Sequence, residues 1–319
     1  MSQSPILIIT NKLDAHADLI IDELSLMNCN FIRFHPDEMG QDSFLTLKPK
    51  RSEINIRSSN KSFAAEEIHS VWYRRPEKGA RHFEDEISRN YAIKEYSSVI
   101  QEIIRRAPGL IVSHPADIKR SSEKLMQLSW AESVGLNVPE FIISSEISLL
   151  LEFCKRHPAV VMKPMSPGNC IVDADDKIIC LQTVEVKADT IKLLGDEFSH
   201  TPVMLQKLIP RTRDIRITCI GSEVYSVAID PGPGPVDSRG RWLESRYETI
   251  ICPRVVAESI DKFMKQTGLK FSAFDFILDE HGEWWFLECN PNGQFLWLEQ
   301  KTGIPLARAM AHYLLEGRQ

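Results

Sequence analysis

The sequence predicts an α/β chain whose later lobes are α+β, and three patterns carry that prediction. ILIIT, DAHADLIIDELSLMN and FIRFHP pass from a continuous apolar run to helical spacing and back, which is the signature of a βαβ unit. The middle mixes short apolar runs with amphipathic stretches, and the last third is dominated by strand-like segments ending in the pair FSAFDFIL and EWWFLECN. At 319 residues and 43% hydrophobic content the chain exceeds one ordinary core, so two or three lobes are expected.

In chain order, the βαβ opening is followed by strand candidates SFLTL and EINIR and then IHSVWYRRP. A long helical stretch through SRNYAIKEYSSVIQEIIRRA is stopped by Pro108-Gly109. The first lobe closes near residue 115, giving domains at 1–115, 116–205 and 206–319. SSEKLMQLSWAESVGLNVPE reads as an amphipathic helix with Gly135 as its stop. VPEFIIS, PAVVMKP and CIVDA read as strands around a helix at SLLLEFCKRH. Strands VMLQKLI, DIRITCI and EVYSVAI follow, then a Pro/Gly-rich excursion, PGPGPVDSRGRW, a helix VVAESIDKFMKQTG, the strand pair and a terminal helix.

Composition narrows the function. Lys plus Arg at 38 against Asp plus Glu at 44 leaves a net charge of −6, which argues against a general binder of nucleic acid or acidic membrane. The seven cysteines form no C-x-x-C pair, so no zinc ribbon or disulfide framework is expected, and a reducing cytoplasm fits. The N-terminus lacks a signal-peptide pattern and no run reaches transmembrane length. The first βα turn reads Thr10-Asn11-Lys12-Leu13-Asp14 and lacks the Gly-x-Gly-x-x-Gly of a dinucleotide site.

The chemistry points to the C-terminal strand pair. A loop of two or four residues centred on His281-Gly282 would set Asp275 opposite Glu288, and a loop shifted by one would make them diagonal neighbours. Period-2 alternation carries Asn290 to the side of Glu288. Two carboxylates and an amide oxygen near one point suit magnesium, which completes its shell with water and phosphate oxygens. Solvent-facing hairpin residues are the plain alternative, but apolar neighbours imply burial, where unpaired carboxylates are costly. Lys163 leaves a buried strand just before MSPGN, and Lys124 lies on the preceding helix. Both are placed to clamp phosphates, although surface lysines are the commoner case.

The order Lys124, Lys163, LQKLIP, RDIRITCIG, FDFIL and FLECNPN resembles the ATP-grasp superfamily. The resemblance implies an ATP-grasp fold with an N-terminal βαβ pre-ATP-grasp domain, and ATP with two magnesium ions as cofactors. It implies that Lys124 and Lys163 contact phosphates, that Gln206, Lys207, Leu208 and Ile209 form the adenine hinge, and that Asp275, Glu288 and Asn290 hold metal. Asp214 then contacts nucleotide, while Arg216, with Lys163, serves the developing acyl phosphate. Gln206 stands where an acid is usual.

SVWYRRP, the Lys124 helix, RDIRITCIG and NPNGQFLWLE further resemble the graspetide (microviridin-type) synthetases. That likeness implies an ATP-dependent, ADP-forming ligase closing ω-ester or ω-amide macrocycles in a ribosomal precursor peptide of leader plus core. It also implies a homodimer, with no nucleic acid or membrane partner. Arg74 and Arg75 follow a buried strand and face the presumed cleft, so they are candidates to receive substrate carboxylates, a structural ion pair being the alternative, and Arg213 is a further candidate substrate contact. The 228–250 excursion is the candidate leader receiver, and it reads SRYETIICP where an Asp-Trp-Arg is common. A ligase adding one amino acid to a small molecule or protein tail competes with this reading, as does a nucleotide-binding protein without ligation.

Overall fold

The computed structural model describes residues 4–49, 51–56, 61–77, 82–166, 170–172, 178–193, 199–230, 232 and 244–316. The first domain opens with β1 (Ile6–Ile9), α1 (Ala15–Leu26) and β2 (Phe31–Phe34). Next come β3 (Ser43–Lys48), β4 (Arg51–Ile56), β5 (Lys61–Phe63), β6 (Ser70–Tyr73), α2 (Glu86–Arg106) and β7 (Leu110–Val112). Strands β2-β1-β6-β7 form one sheet in which every pairing is parallel, and β3-β4-β5 form a separate antiparallel sheet. A parallel sheet must be covered on both faces. Alternation in β1 accomplishes this, sending Ile6 and Ile8 toward α1 while Leu7 and Ile9 join Ile100, Ile103 and Ile104 of α2.

The middle of the chain contains α3 (Pro115–Ser121), α4 (Lys124–Ser133), β8 (Phe141–Ser144), α5 (Ile147–Arg156) and β9 (Val160–Lys163). It continues through β10 (Cys170–Val172), β11 (Ile178–Cys180), β12 (Val184–Val186), α6 (Ala188–Leu193) and β13 (Val203–Lys207). Strands β12-β9-β13-β8 make an antiparallel sheet whose core, with Leu150, Phe153 and Ile191, is supplied by α5 and α6. Because β13 runs to Lys207, the sheet extends past the expected boundary at 205. The helix expected within SSEKLMQLSWAESVGLNVPE is α4, Lys124–Ser133, and the shorter α3 ends just before it at Ser121. Gly135, with φ +84°, supplies the left-handed stop after α4.

The last part contains β14 (Arg213–Ile220), β15 (Glu223–Asp230), β16 (Arg246–Ile250), α7 (Arg254–Thr267), β17 (Phe271–Leu278) and β18 (Trp284–Asn290). Helices α8 (Leu296–Thr302) and α9 (Leu306–Glu316) close it. The sheet β16-β15-β14-β17-β18 is antiparallel and sandwiched. One face packs Ile215, Ile217, Phe274, Phe276, Phe286 and Cys289 against α4 and α7, with Phe263 of α7 wholly buried. Burying one such aromatic side chain stabilises by roughly 1.5–3 kcal/mol. The other face carries the site and, beyond it, shares a core with β1, α1, α8 and α9. Helix α9 therefore packs on the first domain: Ser70 Oγ donates to the Leu314 carbonyl at 2.7 Å. Among the described residues no helix is long and apolar enough to cross a membrane.

Candidate nucleotide and metal site

The connection between β17 and β18, residues 279–283, is five residues long rather than the two or four that set Asp275 opposite Glu288. Asp279 organises it, accepting from the His281 and Glu283 amides at 2.9 Å each and from the Trp285 indole at 2.9 Å. Leu278 therefore faces Trp284, and an unbroken ladder would put Asp275 opposite Leu287. A bulge intervenes: Phe276 faces Phe286, Leu287 is skipped, and Asp275 faces Glu288. The extra residue also flips the alternation, so Phe286 and Cys289 both enter the core while Glu288 and Asn290 stay on the opposite face. The expected juxtaposition is present, by a different route.

Across three strands, Arg216, Asp275 and Glu288 lie in one row. Arg216 Nη1 donates to both Asp275 oxygens at 2.7 and 2.8 Å, and its Nη2 to the Gln294 carbonyl at 3.2 Å. Asn290 Nδ2 bridges Asp275 at 3.0 Å and Glu288 at 3.3 Å. The Lys124 ammonium is 3.8 Å from Glu288 and donates to the Pro164 carbonyl at 3.0 Å, which brings it to the end of β9 beside Lys163. Burial, aided by neighbouring Glu288 and Asp214, pushes the Asp275 carboxyl up to about 6 against the pull of Arg216. Its side chain keeps 31% exposure, all that opens it to a ligand in this packed row.

Two carboxylates crowded this way gather every positive group in reach, which is what a divalent cation would satisfy better. The donors are hard oxygens, and rotating the Asn290 amide by half a turn would present its oxygen between them. The residues thus fit magnesium. Among the described residues no three His, Cys, Asp or Glu converge as a metal cluster, and the Asn290 amide, bonded to both carboxylates, is the protein group placed to add an oxygen to theirs. Burial raises the thiol of Cys289 to about 12, which leaves it inert as a nucleophile.

Other expected residues fall as follows. Asp214 shares the face of Arg216 and is paired with Arg211 at 3.2 Å. Gln206 is buried and donates to the Pro139 carbonyl at 3.3 Å. The Lys207 and Leu208 amides are bonded to the Glu140 and Ala159 carbonyls at 2.8 and 3.0 Å. Arg213 has the parity of Ile215, so it lies on the face away from the row, and it pairs with Glu248 at 2.5 Å. Arg74 was expected to face the cleft. It is instead fully buried, donating to the carbonyls of Asn292 and Gly293 at 2.6 and 3.0 Å, while Arg75 is exposed. Residues 167–169 of the MSPGN loop, and 231 and 233–243 of the excursion, lie outside the described residues. The leader-receiver expectation falls largely on the second group. After these, SRYETI contributes an edge strand, β16.

Sequence reading missed three supports of the site. Gln127 sits one turn after Lys124 on α4. Its amide receives the Cys289 N–H at 2.9 Å and donates to the Cys289 carbonyl at 2.7 Å, pairing with the outer edge of the strand between Glu288 and Asn290. A Cβ on Gly293 would lie 2.4 Å from Ala273 Cβ and 2.8 Å from Arg216 Nη2, so the turn after Asn290 approaches the row closely. His16, on α1, accepts from the Phe295 and Leu296 amides at 3.1 and 3.2 Å. Only the glycine had a local signal, in Asn-Pro-Asn-Gly.

The end of the sheet carrying Lys163 is thus joined through Lys124 to the Arg–Asp–Glu–Asn row of the C-terminal sheet. The chain belongs to the ATP-grasp superfamily: residues 123–284 match the prokaryotic glutathione synthetase ATP-grasp domain. Residues 5–119 match the MvdD pre-ATP grasp domain. Macrocyclase MdnC bound with precursor peptide MdnA from Microcystis aeruginosa MRC superposes with TM-score 0.84 at 23% identity, covering 98% of this chain and 99% of that one. The Chryseobacterium gregarium RiPP-associated ATP-grasp ligase, in complex with ADP and a leader and core peptide, gives 0.88 at 23% identity over 99% and 98%. PsnB complexed with a phosphomimetic variant of minimal precursor, Mg and ADP gives 0.79 at 18% over 98% of both chains. The glutathione synthetase of Nostoc sp. is 25% identical over 188 residues, 57% of this chain and 55% of that protein. The chain thus spans about half the length of the curated relatives it matches.

Proposed function

We propose that this chain is an ATP-dependent, ADP-forming ligase that activates Asp or Glu side chains of a ribosomal precursor peptide and closes ω-ester or ω-amide macrocycles. The observation that carries the reading is the continuous row Arg216–Asp275–Glu288, bridged by Asn290 and ended by Lys124. Support for a peptide substrate comes from the pre-ATP-grasp match and from neighbours solved with precursor, leader or core peptides.

In this reading a substrate carboxylate oxygen attacks the γ-phosphorus, ADP leaves, and an acyl phosphate forms. A substrate hydroxyl or amine then adds to the acyl carbon, loses its proton to solvent, and expels inorganic phosphate. Phosphoryl transfer needs alignment and charge neutralisation more than a protein nucleophile. Asp275, Glu288 and Asn290 would hold magnesium, two ions by resemblance, which when bound neutralises the phosphate oxygens. Lys124 and Lys163 converge from α4 and β9 to clamp the phosphates. Arg216, anchored by Asp275 and Gln294, turns its remaining N–H groups to the acyl oxygen as negative charge develops. Residues 206–209 receive adenine through backbone groups other than the engaged amides of Lys207 and Leu208, and Asp214 lies at the nucleotide edge. In this reading the 228–250 excursion helps to receive the leader segment, and Arg75, exposed just after β6, is a contact for substrate carboxylates. Assembly as a homodimer belongs to the same reading.

The test is mass spectrometry of an Asp/Glu- and Thr/Ser/Lys-rich precursor incubated with the protein, ATP and magnesium. The reading expects loss of one water mass per ring with matching ADP release, and a peptide left unchanged while another acceptor is consumed would refute it. The glutathione-synthetase match supports a second reading, addition of one amino acid to a small molecule or protein tail, which would instead add an amino-acid residue mass.

A further inference from the structure

In open α/β sheets, ligands bind in the crevice outside the carboxyl ends of the strands, where successive connections depart in opposite directions. In the sheet β2-β1-β6-β7 that crevice lies between β1 and β6, which flank the reversal. Here it is filled by the chain's own turn, the segment immediately after the metal-site residue Asn290.

The residues at those strand ends are built to receive it. Thr10 follows β1 and donates to Asp14 at 2.6 Å, and Asp14, the N-cap of α1, also accepts from the His16 amide at 3.1 Å. The His16 ring sits with Nδ1 3.4 Å from Asp14 and Nε2 accepting the amides of Phe295 and Leu296. Arg74 follows β6, is wholly buried, and lies 3.8 Å from Asp14. Its Nη1 holds the carbonyls of Asn292 and Gly293, and its guanidinium lies among the rings of Trp72, Phe271 and Phe295 at 5.8–5.9 Å. From the other side Arg216 takes the carbonyl of Gln294. Backbone groups from 292 to 296 are therefore held at five successive residues, the outer four by the first domain and the middle one by Arg216.

We propose that Asp14, His16 and Arg74 are positioning residues that seat the 292–296 turn, and through it fix Asn290 and Arg216 for divalent-cation binding. The inference rests on the assignment of Asp275, Glu288 and Asn290 as metal ligands. Arg74 and His16 bond backbone groups of the turn and Asp14 bonds to Thr10 and His16, so the cluster acts through the turn. Its physical basis is that groups orienting a metal ligand alter affinity about 10–100-fold when removed.

The experiment measures Mn²⁺ binding in the presence of ADP, from the electron paramagnetic resonance signal of the free ion, on full-length protein well below its unfolding temperature. His16→Leu removes the acceptor for two amides, whereas His16→Gln can place a side-chain oxygen near the position of Nε2. The expected result is Mn²⁺ affinity at least about tenfold weaker in His16→Leu, with affinity near wild type in His16→Gln, even if both lower the unfolding midpoint alike. The paired variant Arg74→Met with Asp14→Asn, which removes both buried charges together, is expected to weaken Mn²⁺ in the same way. Wild-type Mn²⁺ affinity in His16→Leu overturns the proposal, as does equal loss in His16→Leu and His16→Gln. An Asp275→Asn/Glu288→Gln control separates the two levels. If that control loses Mn²⁺ while His16→Leu keeps it, only the positioning role fails. If the control still binds as wild type, the metal assignment fails and the inference falls with it.

Discussion

Adding one methyl group at residue 293 tests the close approach of the turn to the Arg216–Asp275–Glu288 row. A Cβ there would stand 2.4 Å from Ala273 Cβ, 2.8 Å from Arg216 Nη2 and 3.2 Å from the Asn290 carbonyl. Carbon atoms rest at about 3.5–4.0 Å, so the turn or β17 must yield by more than about 1 Å. Neither is free to do so: Ala273 is wholly buried opposite Asn290, and Arg74 holds residues 292 and 293 from behind. Overpacking of this kind costs about 1–3 kcal/mol. A displacement of about 1 Å in groups that align a reaction lowers the rate about a hundredfold. Gly293→Ala is therefore expected to fold with a lowered denaturation midpoint and to lose about two orders of magnitude in kcat/KM for ATP-dependent ring formation, followed by ADP release. Adding Ala273→Gly removes the carbon–carbon clash but not the contact with Arg216, so it should restore midpoint more than rate. Wild-type turnover and midpoint in Gly293→Ala would show that the turn does not constrain the row, and the reasoning would fail.

Two further outcomes follow from buried side chains. Burial alone would raise the Asp14 carboxyl, but hydrogen bonds from His16 and Thr10 and the charge of Arg74 outweigh it and hold the group well below the usual carboxylate range. Its folded value is thus depressed, so its contribution is fully present above the unfolded value near 4 and is lost as pH falls toward the folded one. Asp14→Asn should cost about 2 kcal/mol at neutral pH in urea titrations. The gap to wild type should narrow steadily below about pH 5, and a gap independent of pH would contradict this. Gln127→Met retains the bulk of the side chain but removes both bonds to the Cys289 backbone. It should lose about 1–3 kcal/mol and raise the magnesium concentration needed for half-maximal turnover, and an unchanged magnesium dependence would remove Gln127 from the site's support.

Much of this was legible because short-range physics governs it. The βαβ opening, the strand pair and the shared face of Glu288 and Asn290 follow from apolar periodicity. The Asp275–Glu288 pairing followed only in outcome. No local signal announces that Leu287 bulges, yet without it Phe286 and Glu288 would share a face and the carboxylate would enter the aromatic core. Arg74 read as a cleft residue because it follows a buried strand. What the pattern could not reveal is that Asn292 and Gly293, more than two hundred residues away, occupy that crevice. Gln127 was invisible for the same reason: its partner is a backbone edge in another lobe. Strand β13 crosses residue 205 because nothing in the apolar pattern of Val203–Lys207 marks an end there.

The most direct measurement is anomalous scattering from crystals grown with ADP and Mn²⁺. The account predicts a peak bound by oxygens of Asp275 and Glu288 at about 2.0–2.2 Å, with the Asn290 amide turned so that its oxygen faces the ion. A peak held by nucleotide alone, with both carboxylates still engaged by Arg216 and Lys124, would contradict it.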